Sequence, residues 1–393
     1  MFPCISAFFT RRAVFCPLNF RPKRCIIEWK DYGKADALMS ISIKPFGTTP
    51  NGEQAELYIL KNQSGASVEI TNFGGILHAV NVPDREGRLG DVLLGYPTVE
   101  GYTPLNGYIG ALIGRVGNRI ANGECTLNGQ ELHLAKNEAG RTHLHGGAVG
   151  FDRKMWQATP VEGICEDSLI LKYTSPDGEE GYPGTLRVMV TYTFTDENEL
   201  IIRYEAVSDK DTLCSLTNHA YFNLEGEGSG PVTDHTFEFN CDTFTVVDQY
   251  SIPTGESRDV TGTPFDLREP TRLADAMKEI DTDEQLRFGQ GFDHNFNIND
   301  PEAGLRFAVR VTAPKSGRTM DVFTDMPAVQ FYAGNMLKGV NPGKCGRLYE
   351  KREGFCLETQ YAPDSIHHPE FPDSVLRAGE KYDFTTIFSF DAE

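Results

Sequence analysis

Short runs rich in β-branched and aromatic residues recur along this chain, at residues 55–60, 67–73, 186–195, 199–207, 236–239, 307–312, 318–324, 329–333 and 384–390. Asp, Asn, Gly and Pro punctuate them, as expected for strands joined by tight turns. Long amphipathic helical patterns are nearly missing, and the best short candidate is residues 271–277. Such a pattern predicts an all-β fold. Strands that must each bury one face predict a twisted two-sheet β-sandwich with a cleft on one sheet. The 393 residues would suit two or three average domains, yet no Ser/Gly/Pro-rich linker, low-complexity block or fixed-period repeat divides them. One domain over residues 39–393 is expected.

Two polar residues interrupt runs that otherwise read as buried strands. His219 lies within Asn218-His219-Ala220-Tyr221-Phe222-Asn223-Leu224, and Glu358 within Leu357-Glu358-Thr359-Gln360. Taken singly they read as a hydrogen-bonded core histidine and a surface glutamate. Together they are the partners needed for proton transfer near neutral pH. Alternation places Glu358 on the face opposite Leu357 and Thr359, where a sheet can present one polar group to a cleft. Gly114-Arg115-Val116-Gly117-Asn118-Arg119-Ile120, Leu144-His145-Gly146-Gly147 and Gly291-Phe292-Asp293-His294-Asn295-Phe296 likewise combine glycine with polar or aromatic side chains. That mixture suits a sugar, whose hydroxyls meet planar bidentate groups and whose C–H faces meet rings. It suits nucleotides poorly.

The segments GRVGNRI, LHGG followed by GFD, NHAYFNL, GFDHNF, VQFYAGN and LETQ, in this order, closely resemble the aldose 1-epimerases, also called galactose mutarotases. The resemblance runs from about residue 45 to the carboxyl end. It implies their large β-sandwich, an isomerase acting on free hexoses such as D-galactose and D-glucose, and no cofactor. It matches Glu358 to the general base and His219 to the general acid. Asn118 and Arg119 match the sugar-binding pair, and His145, Tyr221, Asp293 and Gln330 match further hydroxyl-binding positions. Asn118 also reads as a turn cap, Arg119 as a surface charge and Gln330 as the outward residue of an edge strand. Gly117 stands where relatives often carry Ala, a difference of one methyl.

The chemistry accounts for these residue types. A cyclic aldose is a hemiacetal, and exchanging its α and β forms requires deprotonating the C1 hydroxyl and protonating the ring oxygen. The opened aldehyde turns about C1–C2, and the same two groups close it again. Glu358 as carboxylate and His219 as imidazolium meet this need, with Asp293 and Glu358 expected to favour the charged ring. Arg119 would orient hydroxyls and stabilise negative charge on the C1 oxygen. Three readings compete: a hexose-6-phosphate 1-epimerase, a non-catalytic carbohydrate-binding module, and a glycoside hydrolase using Asp293 and Glu358 as its carboxylate pair.

A net charge of −19 and a pI near 4.9 argue against nucleic acid or anionic membrane as partner and fit a neutral sugar. A monomer is expected, a dimer being the alternative. Nine cysteines, odd in number and without a C-x-x-C pair, read as reduced thiols. His143-x-His145 and His367-His368 lack a complete ligand set, so no metal is expected. Arg11, Arg12, Arg21, Lys23 and Arg24 precede the first acidic residue, Glu28, and Pro3, Pro17 and Pro22 break the apolar stretches below membrane-spanning length. Residues 1–38 therefore read as a disordered extension or a non-native start before Met39. The enzyme is expected in the cytoplasm, with organelle import as the alternative.

Overall fold

Period-two alternation builds the largest sheet. Leu186–Phe194 and Glu199–Ser208 bury every second side chain, and their antiparallel register sets Val190 against Tyr204 and Tyr192 against Ile202. In a computed structural model describing residues 41–393 except 105–106 and 164–165, this sheet has nine strands. Their order is Gln157–Val161, Asp167–Ser175, Leu186–Phe194, Glu199–Ser208, Lys381–Ala392, Arg318–Thr324, Arg306–Thr312, Thr236–Phe239, Thr271–Arg272. The expected extension and its Met39 boundary, with Cys4, Cys16, Cys25 and Cys165, lie outside the described residues.

Two five-stranded antiparallel sheets accompany it. One is a meander of Ser42–Thr48, Gln54–Lys61, Ser67–Thr71, Leu77–Pro83 and Leu89–Asp91. The other runs Pro253–Asp259, Thr243–Val247, Asp293–Asn297, Ala328–Tyr332, Cys356–Gln360. One continuous core joins all three, with Val68 and Val80 from the meander, Leu171 and Tyr204 from the large sheet, and Phe244, Phe296, Phe331 and Leu357 from the third. The fold is a β-sandwich.

The helix expected at 271–277 is shorter. Arg272 is still extended, because Thr271–Arg272 pairs with the strand Thr236–Phe239, so the helix starts at Leu273 and ends at Ala276. A second helix, Glu284–Gly289, had no periodic signal at six residues. Asp283 caps it by accepting from the Leu286 N–H, and Gln290 ends it in the left-handed conformation.

Arg115 anchors the segment that carries Asn118 and Arg119. It is 2% exposed, and its guanidinium donates to the Ser175, Pro176, Pro183 and Gly184 carbonyls and to the Ser175 and Thr212 hydroxyls. The chain then turns through Gly117, where an added Cβ would meet the Thr217 methyl at 3.1 Å. An alanine fits there with a few tenths of an ångström of adjustment.

Candidate active site

The third sheet has an apolar face and a polar face, and the polar face is laid out in rows by its register. Asn295 stands opposite Gln330, and Gln330 opposite Glu358. In the adjacent row Asp293 stands opposite Tyr332, and Tyr332 opposite Cys356. His294, Phe296, Val329, Phe331 and Leu357 point the other way, the last four into the core. Alternation thus sends Glu358 opposite Leu357 as expected, but the Cys356–Gln360 strand is buried on both faces. Gln330 lies on an interior strand, which removes its edge reading.

Other walls come from loops. His219 follows the two-residue strand Thr217–Asn218, held against Leu112–Ile113, and its backbone N–H donates to the Ala111 carbonyl. Asn118 and His145 both have left-handed backbones, with φ of 60° and 49°. They lock each other: the His145 N–H donates to the Asn118 carbonyl at 3.0 Å, and the Asn118 N–H donates to His145 Nδ1 at 3.1 Å. Gly146 follows with φ of 84°, and a Cβ there would lie 1.8 Å from the Gly114 carbonyl oxygen. Only glycine permits that close approach.

These elements enclose a cavity of about 280 Å³ lined by Asn118, Arg119, His145, His219, Tyr221, Asp293 and Glu358 among others. Seven of the eight expected positions line it, and the eighth, Gln330, donates to Asp293 Oδ1 at 2.7 Å from just behind. The volume is at the low end for small-molecule sites, a space for about one sugar ring. His219 Nε2 is 3.7 Å from Glu358 Oε1, and the ring stacks on Tyr221 with centroids 5.1 Å apart. Glu358 Oε2 is buried without a hydrogen-bond partner among the described residues. Two residues join the site that no motif signalled. Glu138, from a loop without period, takes the Arg119 fork at 2.8 Å on both oxygens, and Tyr108 packs on His145 at 4.7 Å. Arg119 is therefore a buried, paired group and not a surface charge.

Burial dominates the electrostatics. It lowers His219 to about 4, opposed by its own backbone carbonyl, and it raises Glu358 well above the ordinary value, with Asp293 adding and Arg119 opposing. The expected charging of His219 by neighbouring carboxylates does not emerge: burial pushes the ring towards its neutral form and Glu358 towards its protonated form. Burial also raises Asp293 and lowers His145. Burial works against the Arg119 charge too, but Glu138, Asp293 and Glu358 together hold it above its ordinary value.

His145, His219 and Glu358 each offer an atom within 4.8 Å of the others, a spacing a metal ion could use. The tautomer works against it. His145 Nδ1 accepts from a backbone N–H, so the neutral ring carries its proton on Nε2. In that tautomer His145 offers a hydrogen-bond donor rather than a metal lone pair on Nε2.

A histidine facing a buried carboxylate in a one-ring cavity on a β-sandwich is the arrangement of a carbohydrate isomerase. The family model described as aldose 1-epimerase matches residues 56–389. The chain is 43% identical over 353 residues to the galactose mutarotase of Homo sapiens, spanning 90% of this chain and 99% of that one. It is 36% identical over 346 residues to the aldose 1-epimerase of Escherichia coli, spanning 88% and 97%. The crystal structure of galactose 1-epimerase from Lactobacillus acidophilus superimposes with a TM-score of 0.78 at 27% identity, covering 90% of this chain and 99% of that one. The chain belongs to the aldose 1-epimerase family.

Proposed function

We propose that this chain interconverts the α and β anomers of free hexoses such as D-galactose and D-glucose. The observation that carries the reading is the 3.7 Å approach of His219 Nε2 to Glu358 Oε1 at the wall of a single-ring cavity. Glu358 takes the C1 hydroxyl proton while His219 Nε2–H protonates the ring oxygen, and the C1–O5 bond breaks as the C1 carbonyl forms. The aldehyde rotates about C1–C2 and closes on its other face as both protons return. Asn118, Arg119, His145, Tyr221 and Asp293 bind hydroxyls, and Gln330 fixes Asp293. Tyr221 also supplies a flat wall beside His219.

The competing readings fit the site less well. Asp293 and Glu358 rise from the same face of one sheet, whereas a glycoside hydrolase needs its carboxylates flanking the scissile bond. A phosphorylated sugar needs cations. Among the described residues the cavity offers Arg119, whose charge is spent on Glu138, and exposed Lys338, against Glu138, Asp293 and Glu358. A mere binding module has no use for an unpartnered buried carboxylate oxygen beside a histidine. No helix among the described residues is long and apolar enough to cross a membrane. Residues 39–393 act as one catalytic domain, a monomer whose site is complete within the chain. The five described cysteines are free, which supports the cytoplasm as its compartment.

Polarimetry of freshly dissolved α-D-galactose tests this directly. The protein should speed relaxation to the anomeric equilibrium, equally with EDTA present, while an unchanged spontaneous rate on both galactose and glucose would reject it.

The pH profile follows from the shared proton. The pair works with one proton, so activity falls when a second is added and when the last is lost. Because burial lowers His219 to about 4, the acid limb of kcat/KM should lie near 4, and because burial raises Glu358, the alkaline limb should lie well above the ordinary carboxylate value. An acid limb at the ordinary histidine value of 6.5 would contradict the assignment.

A further inference from the structure

The strand Cys356–Gln360 sends Cys356 and Glu358 to the same face, roughly 7 Å apart along the chain. The imidazole of His219 lies between them. Its Nε2 is 3.7 Å from Glu358 Oε1 and its Nδ1 is 3.4 Å from Cys356 Sγ, so one strand addresses both ring nitrogens. Cys356 is a fully buried free thiol. Burial raises it well above its ordinary value, with Glu358 and Asp293 adding and a hydrogen bond from Tyr221 opposing. It stays a neutral S–H, whose sulfur is a weak acceptor.

We propose that Cys356 is a positioning residue: its sulfur accepts the Nδ1–H of His219 and so leaves Nε2 as the only nitrogen that exchanges a proton with substrate. The proposal rests on the reading of His219 as the general acid. The shared proton can sit on Nε2, opposite a Glu358 carboxylate, or on Glu358, opposite a bare Nε2. Nδ1 keeps its hydrogen in both states, and Cys356 is the side-chain acceptor within reach of it, alongside the residue's own backbone carbonyl, which also favours the protonated ring. The choice of sulfur also has a consequence for acidity. A carboxylate at this place, as in a Ser-His-Asp triad, stabilises the imidazolium. A neutral thiol does so far less, and the ring remains a stronger acid towards the ring oxygen.

The groups facing the ring are few. Glu358 meets Nε2, Tyr221 and Tyr108 stack on the ring with centroids at 5.1 and 6.0 Å, and His145 approaches edge-on at 5.1 Å. Arg119 and Asp293 act one step away, through Glu358. Among the described side chains, Cys356 alone bonds Nδ1.

Nitrogen-15 NMR of histidine-labelled full-length protein, with His219→Asn to assign the signal, reads the tautomer independently of activity. A protonated Nδ1 on neutral His219 is expected, and a protonated Nε2 with bare Nδ1 would overturn the proposal. Polarimetric pH profiles supply the second arm. Cys356→Ser should keep the acid limb, and Cys356→Ala should lose up to about tenfold in kcat with KM little changed, one hydrogen bond's worth. Cys356→Asp should move the acid limb upward by about 1–3 pKa units. An acid limb identical in all three variants would reject a role in tuning His219. If Cys356→Asp does not fold, the wild-type tautomer decides. Inactive wild-type protein would sink the epimerase reading without touching the tautomer, so the two failures are distinct.

Discussion

Glu358→Gln should lose between about 10² and 10⁴ in kcat for galactose mutarotation with KM little changed, because the amide fills the same space but cannot take the C1 hydroxyl proton. The same substitution should stabilise the fold. Glu358 is 2% exposed with Oε2 unpartnered, and its folded pKa is raised by burial and by Asp293. A carboxyl whose folded pKa exceeds its unfolded value supports the native state below the unfolded pKa and weakens it as pH rises. Glutamine escapes that penalty. The variant should therefore gain stability over wild type at neutral and alkaline pH, and the gain should vanish in acid below the unfolded carboxyl pKa of about 4.3. Urea denaturation at two pH values, paired with polarimetry, checks both halves. Activity near wild type would remove Glu358 as the base, and equal stability at both pH values would contradict the buried, raised carboxyl.

Arg115→Met should destabilise the protein by about 3–5 kcal/mol, because several buried acceptors lose their donor at once. Methionine fills most of the volume but leaves the Ser175, Pro176, Pro183 and Gly184 carbonyls without their donor. Buried acceptors left unpaired cost roughly 1–3 kcal/mol each before relaxation or water entry. Arg115→Lys should recover only a part, since an ammonium cannot reproduce the fork. The urea midpoint should fall for both, further for methionine. A midpoint within error of wild type would show that water replaces the guanidinium without cost. The folded fraction of either variant should retain measurable mutarotation, because Arg115 touches no substrate and only anchors the segment leading to Asn118.

Much of this was legible from residue patterns. Strand alternation revealed the sandwich because a half-buried strand must repeat every second residue, as in Leu186–Phe194. Glu358 and His219 stood out because each breaks an apolar run. Glu138 did not, since nothing in a loop announces which arginine it will meet across 19 residues. Cys356 gave half a signal: it lies two residues before Glu358, hence on the same face, but the sequence does not tell which side chain arrives opposite. The helix 271–277 was misjudged in length because a strand pairing overrides local propensity at Arg272. The downward pull of burial on His219 was not legible, because the nearness of carboxylates can be read from motifs, whereas the cost of excluding water depends on the packed whole.

The rows on the third sheet also bear on how errors of folding are handled. A slip of the Cys356–Gln360 strand by one residue would turn Leu357 and Thr359 into the cavity and press Glu358 and Gln360 into hydrocarbon. No intermediate register exists in which the thiol and the carboxylate still bracket the imidazole. Chains that reach a functioning pocket are therefore already correctly zipped across this sheet, so an activity assay also reports its pairing.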